Sequence, residues 1–168
     1  TYSEDFTNVN WSKNSVSIGS AATGPDGGLS AVKLVEDTSS SRHTIRDGVS
    51  ISPSTVATFS CYVKASERAF VSLSAVYFAN SAGCAAIFDL NGDVSKGLGG
   101  DAAGYEVISR SIEDVGSGWK RVSISFNVPA ANVQDTFIIG VSDSYSPTFD
   151  YAQRAASYTG DGTSGVYL

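Results

Sequence analysis

Groups that act as general bases, nucleophiles or metal ligands are few and scattered in this sequence. His43 is the only histidine, and no serine stands in a G-x-S-x-G or comparable nucleophile context. The adjacent carboxylates Glu4 and Asp5, like Glu36 and Asp37, point to opposite faces if they lie in strands, so neither pair forms an acid/base dyad by itself. We therefore predict that the chain is not an enzyme and that His43 is a surface or turn residue.

The stretch DLNGD (residues 89–93) has two interpretations. It resembles the start of a calcium loop, which places oxygen ligands at alternate positions and a glycine at the turn. However, the distal bidentate glutamate and the flanking helices of such a loop are missing. An Asn-Gly pair between apolar runs is typical of a hairpin turn, so we predict a hairpin here.

Aromatic residues on polar strand faces are the remaining candidates for binding. Sugars present apolar C–H faces that stack on Trp and Tyr rings, while their hydroxyls need polar partners nearby. Tyr62 and Trp119 alternate with such partners along two predicted strands, namely Ser60, Lys64, Arg121 and Ser123. This pattern is compatible with a polysaccharide-binding sheet, and equally with a solvated sheet that binds nothing.

The elements that position these residues are strands, because apolar residues recur with a period of two and not with a helical period. TVATFSCYVKA (55–65) alternates cleanly, and WKRVSISFNV (119–128) directs Val122, Ile124, Phe126 and Val128 to one face. Turn-forming stretches rich in Gly, Asp and Ser separate the runs. We predict an all-β fold, a β-sandwich jelly roll of two antiparallel sheets, in one domain over residues 1–168.

The charge composition excludes some classes of binding partner. A net charge of −6 and a pI near 4.6 argue against nucleic acid and against anionic membrane surfaces. No apolar run is long enough to span a bilayer, so we predict no membrane insertion. Cys61 and Cys84 are predicted to be reduced thiols by default, and a disulfide between them is left open.

Five stretches, taken in order, carry a resemblance to a known family: TYSEDFTNVNWSK, GPDGGLSAVKLVED, ATFSCYVKASER, GSGWKRVSISFNV and SYTGDGTSGVYL. Together they resemble jelly-roll modules of phage tail fibres, tail spikes and other virion proteins. These modules look like relatives of the carbohydrate-binding modules of families 4, 9 and 22. The resemblance covers nearly the whole chain and implies that the chain is a fragment of a longer polypeptide.

The resemblance implies a non-catalytic module with a ligand groove on one sheet. Carried onto this sequence, the groove face includes Tyr62 and Lys64 from YVK and Arg121, Ser123 and Ser125 from GWKRVSIS; Trp119 joins them as an aromatic candidate. A structural calcium is the possible cofactor, with Glu4 or Asp5 and Asp161 as its candidate ligands. Lys64 and Arg121 suit an anionic glycan, although keeping an acidic sheet solvated is the more common role of such cations.

The function expected from this resemblance is adhesion to a host surface glycan or other polysaccharide, within a virion appendage such as a tail fibre. Weak single sites become tight attachment when several copies engage together. Two alternatives remain open. The first is a purely structural fibre or capsid-decoration domain that contacts other virion subunits. The second is a carbohydrate-binding module attached to a secreted polysaccharide-degrading enzyme.

Overall fold

The computed structural model describes residues 5–79, 81–98, 104–130 and 135–168, and the regular structure in these ranges is β-strand. The strands are β1 (Ser12–Asn14), β2 (Val16–Ala22), β3 (Ala31–Glu36), β4 (Ser40–Val49), β5 (Val56–Ala65), β6 (Phe70–Tyr77), β7 (Ala82–Asp89), β8 (Val94–Gly97), β9 (Glu106–Gly116), β10 (Trp119–Asn127), β11 (Asp135–Ser142), β12 (Phe149–Asp150), β13 (Ala155–Thr159) and β14 (Gly165–Tyr167).

These strands form two antiparallel sheets packed as a β-sandwich. The larger sheet has the order β12-β13-β4-β11-β6-β7-β8, with β1 also paired to β4. The smaller sheet has the order β2-β3-β14-β5-β10-β9. The prediction of an all-β sandwich of two antiparallel sheets is confirmed.

The alternation predicted for β5 and β10 is confirmed by their register. Ile124 pairs with Phe59 and Val122 with Cys61, and all four side chains are buried. Between them, Ser123 pairs with Ser60 and Arg121 with Tyr62 on the opposite face. One face of the smaller sheet therefore points into the core, and the other, which we call its outer face, points away from it.

The core lies between the inner faces of the two sheets. Leu73, Phe88 and Ile139 of the larger sheet belong to the same buried cluster as Val63 and Phe126 of the smaller sheet. Cys61 and Cys84 are buried thiols within it, as the default prediction has it. Burial raises the pKa of the Cys61 thiol to about 12.

The outer face of the larger sheet is covered by the chain itself, through residues 144–154, which we call the covering segment. The Ser74 hydroxyl on β6 donates to the carbonyl oxygen of Arg154 at 2.6 Å. Lys96 of β8 donates to the Ser146 hydroxyl at 2.7 Å, and its ammonium lies 4.5 Å from the centroid of the Tyr145 ring. Strands β6 and β7 of the larger sheet are thus buried on both faces, and Ser72 and Ser74 have no exposed surface.

The stretch DLNGD forms the turn between β7 and β8. The Asp89 carboxylate accepts the backbone N–H groups of Asn91 and Gly92 at 3.0 and 3.1 Å, which closes the turn. The hairpin prediction is confirmed.

Two glycines, one after β13 and one at the start of β14, are explained by close backbone approaches. A Cβ at Gly160 would lie 2.0 Å from the carbonyl oxygen of Asp37, and one at Gly165 would lie 2.0 Å from that of Leu34. Only glycine fits both places, so this stretch brings β14 between β3 and β5.

Candidate functional site

The predicted binding residues come together on the outer face of the smaller sheet. Across β5 and β10, Trp119 lies opposite Lys64, Arg121 opposite Tyr62, and Ser125 opposite Thr58. On the far side of β10, β9 adds Glu113 opposite Arg121 and two further serines, Ser109 and Ser111. No segment like the covering segment is described over this face, which leaves a polar sheet surface open to ligands.

Tyr62 is the aromatic ring best placed for stacking. Its side chain is 45% exposed and stands beside Arg121, whose guanidinium donates to the Ser60 hydroxyl at 3.1 Å. These three residues line a pocket of about 460 Å³ together with Asp26 and Ser30. An exposed ring, a cation, a carboxylate and hydroxyl groups around one cavity are the groups that hold a sugar.

Among the described residues that line this pocket, Arg121 is the only one with a positive charge. Within the described ranges no carboxylate lies within ion-pair distance of its guanidinium, whereas Lys33 has one and Arg68 and Lys120 have two each. Its side chain is held by Ser60 and remains partly exposed. It is therefore available to a polar group of a ligand.

Ser123 and Ser125 extend the polar surface away from Tyr62 along β10. Ser125 shares a hydrogen bond of 2.8 Å with the Thr58 hydroxyl, and Ser123 lies between Ser60 and Ser111 by register. Their hydroxyl groups form a row of donors and acceptors without charge. Such a row suits the hydroxyl groups of a longer ligand that begins at Tyr62.

Two predicted residues are less accessible than expected. Trp119 lies on the outer face by register but is only 1% exposed, so its ring has no free face for stacking. Lys64, its cross-strand partner, bends toward the next turn and donates to the carbonyl oxygen of Ser117 at 2.9 Å. A register shift in β9 opposite Trp119 also breaks the simple alternation there. We therefore correct the expectation of an exposed Trp119.

The candidate calcium ligands are engaged in local hydrogen bonds. Asp161 accepts the backbone N–H groups of Thr163 and Ser164 at 2.8 and 2.7 Å, and the Ser164 hydroxyl at 2.6 Å. These bonds, that of the Ser164 side chain first, hold the pKa of Asp161 far below its usual value. Arg68 places a guanidinium nitrogen 3.6 Å from the same carboxylate.

Asp5 lies in a separate environment, where it accepts the backbone N–H of Thr7 at 3.1 Å. Its described contacts and those of Asp161 have no residue in common. Glu4 lies outside the described residues. Among the residues that are described, no group of three or more His, Cys, Asp or Glu side chains is arranged to hold a metal ion. The calcium site stays a prediction.

A buried charged cluster, which the sequence did not indicate, joins the two sheets. Glu36 at the end of β3 is 1% exposed and forms a two-pronged ion pair with Arg68. It also accepts the Tyr158 hydroxyl of β13 at 2.6 Å and the backbone N–H of Asp161 at 2.9 Å. Burial opposes its ionisation, but these hydrogen bonds outweigh burial and hold the pKa of Glu36 below its usual value.

His43 belongs to the same end of the sandwich, and the prediction that it lies at the surface or in a turn is wrong. It lies within β4 with no exposed surface. Its ring nitrogens lie 2.8 Å from the carbonyl oxygen of Ser15 and 3.3 Å from that of Tyr158. Burial is tolerated because a ring N–H has a carbonyl acceptor on either side. These contacts give His43 a structural role.

Comparisons with known proteins do not assign this chain to a family. No protein-family model matches this chain, and no curated protein sequence matches it either. Within the described ranges the chain has no helix long and apolar enough to cross a membrane.

Proposed function

We propose that this chain is a non-catalytic glycan-binding module of jelly-roll type, which serves adhesion in a virion appendage such as a phage tail fibre. The observation that carries the binding proposal is the pocket beside Tyr62, on the one outer sheet face that the described chain leaves open. The virion setting rests on the family resemblance of the sequence alone.

The proposed mode of binding follows from the groups around the pocket. The C–H face of a sugar ring stacks on Tyr62 while Arg121 and Ser60 engage its hydroxyl groups. Ser123 and Ser125 contact the next sugar units along β10, and Lys64 stands at the opposite end of the row. Trp119 is left out of the contact surface because it is buried.

The experiment is a glycan array probed with the isolated chain, with calcium and then with a chelator. Tyr62→Ala is the test variant, and Tyr151→Ala is its matched control, because Tyr151 is also exposed but belongs to the covering segment of the other sheet. We expect a hit that weakens about tenfold or more in Tyr62→Ala, since one stacked ring contributes about 1–3 kcal/mol in comparable aromatic stacking. The Tyr151→Ala variant should bind like the parent protein.

Two results would count against the proposal. The first is that the folded protein binds none of the bacterial, plant and host-surface polysaccharides on the array. This result would favour the purely structural virion domain. The second is an equal loss in both tyrosine variants, which would place the sugar elsewhere. If the protein binds a glycan in the presence of calcium and loses that binding when a chelator is added, the calcium prediction is supported.

A further inference from the structure

The edge strands of the two sheets differ in how they are protected against pairing with another chain. An edge strand presents unpaired main-chain N–H and C=O groups, and natural sheets limit this exposure with short or bulged edge strands. Strand β12 has two residues, β8 has four, and β2 carries a register shift between Ile18 and Ala21. Strand β9, at the remaining edge, has eleven residues, and all but two of them are exposed.

The free edge of β9 lies away from the pocket beside Tyr62. Strand β10 separates β9 from β5, and β5 in turn separates it from β14 and Leu168. The pairing of β9 with β10 is regular from Ser109 to Asp114, because both register shifts fall outside this stretch. This part of β9 therefore offers a regular, exposed strand edge.

The main chain of Arg110, Ile112 and Asp114 points to the free side of β9. Residues of an antiparallel strand direct their N–H and C=O groups alternately to the two sides. Val128, just after β10, donates to the carbonyl oxygen of Thr55, just before β5, at 2.8 Å. Every second residue back from Val128 therefore bonds toward β5, and the residues between them bond toward β9. Their partners in β9 are Ser109, Ser111 and Glu113.

A second copy of β9 can pair with this edge, and charge selects the register. Two copies related by a two-fold axis pair antiparallel, and the axis passes through a residue that faces itself. An axis at Arg110 or at Glu113 places like charges opposite each other, and an axis at Ser111 leaves Arg110 opposite Ile112. An axis at Ile112 places Arg110 opposite Asp114 of the other copy, twice in each interface.

Both charged groups of that pair are accessible at the edge. Arg110 is exposed, and among the described residues no carboxylate lies within ion-pair distance of its guanidinium. A Cβ at Gly97 of β8 would lie 3.6 Å from this guanidinium, so the glycine leaves room for it. The Asp114 side chain is 62% exposed and binds Lys120 and the Gly116 N–H through different oxygens. Each oxygen keeps a lone pair for a further donor.

We propose that the free edge of β9 joins two copies of this chain into a two-fold dimer, with Ile112 on the axis and Arg110 paired to Asp114 of the second copy. The two smaller sheets then form one continuous sheet. The proposal goes beyond glycan binding and does not depend on it. Because the axis is perpendicular to the sheet, both outer faces point the same way, with the two Tyr62 rings five strand spacings apart, about 24 Å. Such a dimer presents both proposed glycan sites to one surface.

The test is sedimentation equilibrium of the isolated chain over a range of concentrations, with two charge-reversal variants. In Arg110→Glu and in Asp114→Lys, a homodimer would place like charges opposite each other twice. We expect the dissociation constant of each variant to rise at least about tenfold. In an equal mixture of the two variants, opposite charges face each other at both places, so the dimer should return. In Asp114→Lys, Lys120 keeps its second carboxylate, that of Asp93.

Arg42→Glu is the matched control for these variants. It makes the same change of net charge as Arg110→Glu, but on β4 of the larger sheet. We expect this variant to dimerise like the parent chain. An equal loss of the dimer in Arg42→Glu would overturn the proposal, since net charge alone would then explain the effect.

Amide hydrogen exchange by NMR locates the interface. We expect the amides of Ile112 and Asp114 to exchange fast in dilute samples and to slow at least about tenfold in the dimer. Ser111 and Glu113, which bond to β10, are the internal control and should exchange slowly in both.

A chain that stays monomeric at every concentration would overturn the proposal. A dimer in which Ile112 and Asp114 still exchange fast would also overturn it, because another surface would then join the copies. Failure of the two variants to pair in the mixture, when circular dichroism shows both folded, would refute the contact between Arg110 and Asp114 that defines the dimer. A monomer that binds glycan would refute this inference alone, and a dimer that binds no glycan would refute only the proposed function.

Discussion

Two nearly identical sequence patterns have opposite environments in this protein. Val71-Ser72-Leu73-Ser74 lies in β6 of the larger sheet, and Val122-Ser123-Ile124-Ser125 lies in β10 of the smaller sheet. In both patterns the apolar residues face the core, namely Val71 and Leu73 in β6 and Val122 and Ile124 in β10. The serines of β6 are completely buried, whereas those of β10 remain partly exposed on the open outer face.

The environment of a polar strand face therefore depends on the segments that connect the strands around it. The covering segment between β11 and β13 accepts a hydrogen bond from Ser74 of β6, and both serines of that strand are buried. The smaller sheet has no such cover in the described ranges, so the same pattern yields a surface. In the described ranges, the outer face of the smaller sheet is therefore the more accessible of the two at these serines.

The largest effect is expected where the two sheets are joined, at Glu36. In Glu36→Ala, Arg68 and Tyr158 lose their buried carboxylate partner. We expect the free energy of unfolding to fall by about 3–5 kcal/mol, as when one member of a buried ion pair is removed. Urea unfolding followed by fluorescence and by circular dichroism measures this loss.

Glu67→Ala is the matched control for that variant. Glu67 forms a 2.6 Å ion pair with Lys33 but is half exposed, so we expect a loss of only about 0–1 kcal/mol. Similar losses in the two variants would show that the buried cluster does not hold the sheets together more strongly than a surface pair does.

A smaller effect is expected from the same substitution in the two serine patterns. Ser74→Leu forces a large side chain under the covering segment and removes the bond to Arg154, which should cost about 1–3 kcal/mol. Ser123 lies on the open outer face of the smaller sheet. Its substitution Ser123→Leu should therefore change the free energy of unfolding by less than about 0.5 kcal/mol. Thermal or urea unfolding of both variants gives the comparison, and equal losses would mean that the face of the smaller sheet is also covered.

The smallest effect is expected from mild acid. The pKa of Glu36 is lower in the folded protein than its unfolded value near 4.5. Its contribution to stability is therefore complete above that value and is lost as the pH falls toward the folded pKa. Unfolding free energies measured between pH 6 and 3 should decline, and the decline should be shallower in Glu36→Gln. An identical slope in that variant would assign the acid sensitivity to other carboxylates.

The local alternation of β5 and β10 could be predicted from the sequence because it depends only on side-chain period. The period places Tyr62 on the outward face of one strand and Arg121, Ser123 and Ser125 on that of another. That the two strands are neighbours is shown by their register and not by the period. The hairpin at residues 89–93 was predictable for a similar reason, since its turn residues act locally.

Features that depend on distant parts of the chain could not be predicted in this way. Trp119 is 1% exposed next to a register shift against β9, and side-chain period predicts neither its burial nor the shift. The burial of His43 depends on carbonyl groups of Ser15 and Tyr158, which lie far away in the sequence. The pocket needs Asp26 and Ser30 from before β3, which no pattern connects to Tyr62.

The two thiols differ in what separates them from solvent. Cys84 in β7 of the larger sheet has no exposed surface, whereas Cys61 in β5 of the smaller sheet is 8% exposed and lines the pocket beside Tyr62. A thiol reagent therefore reaches Cys84 only when the larger sheet opens, while the labelling rate of Cys61 also depends on access through the pocket. A ligand that fills the pocket should thus slow the labelling of Cys61 and leave that of Cys84 unchanged.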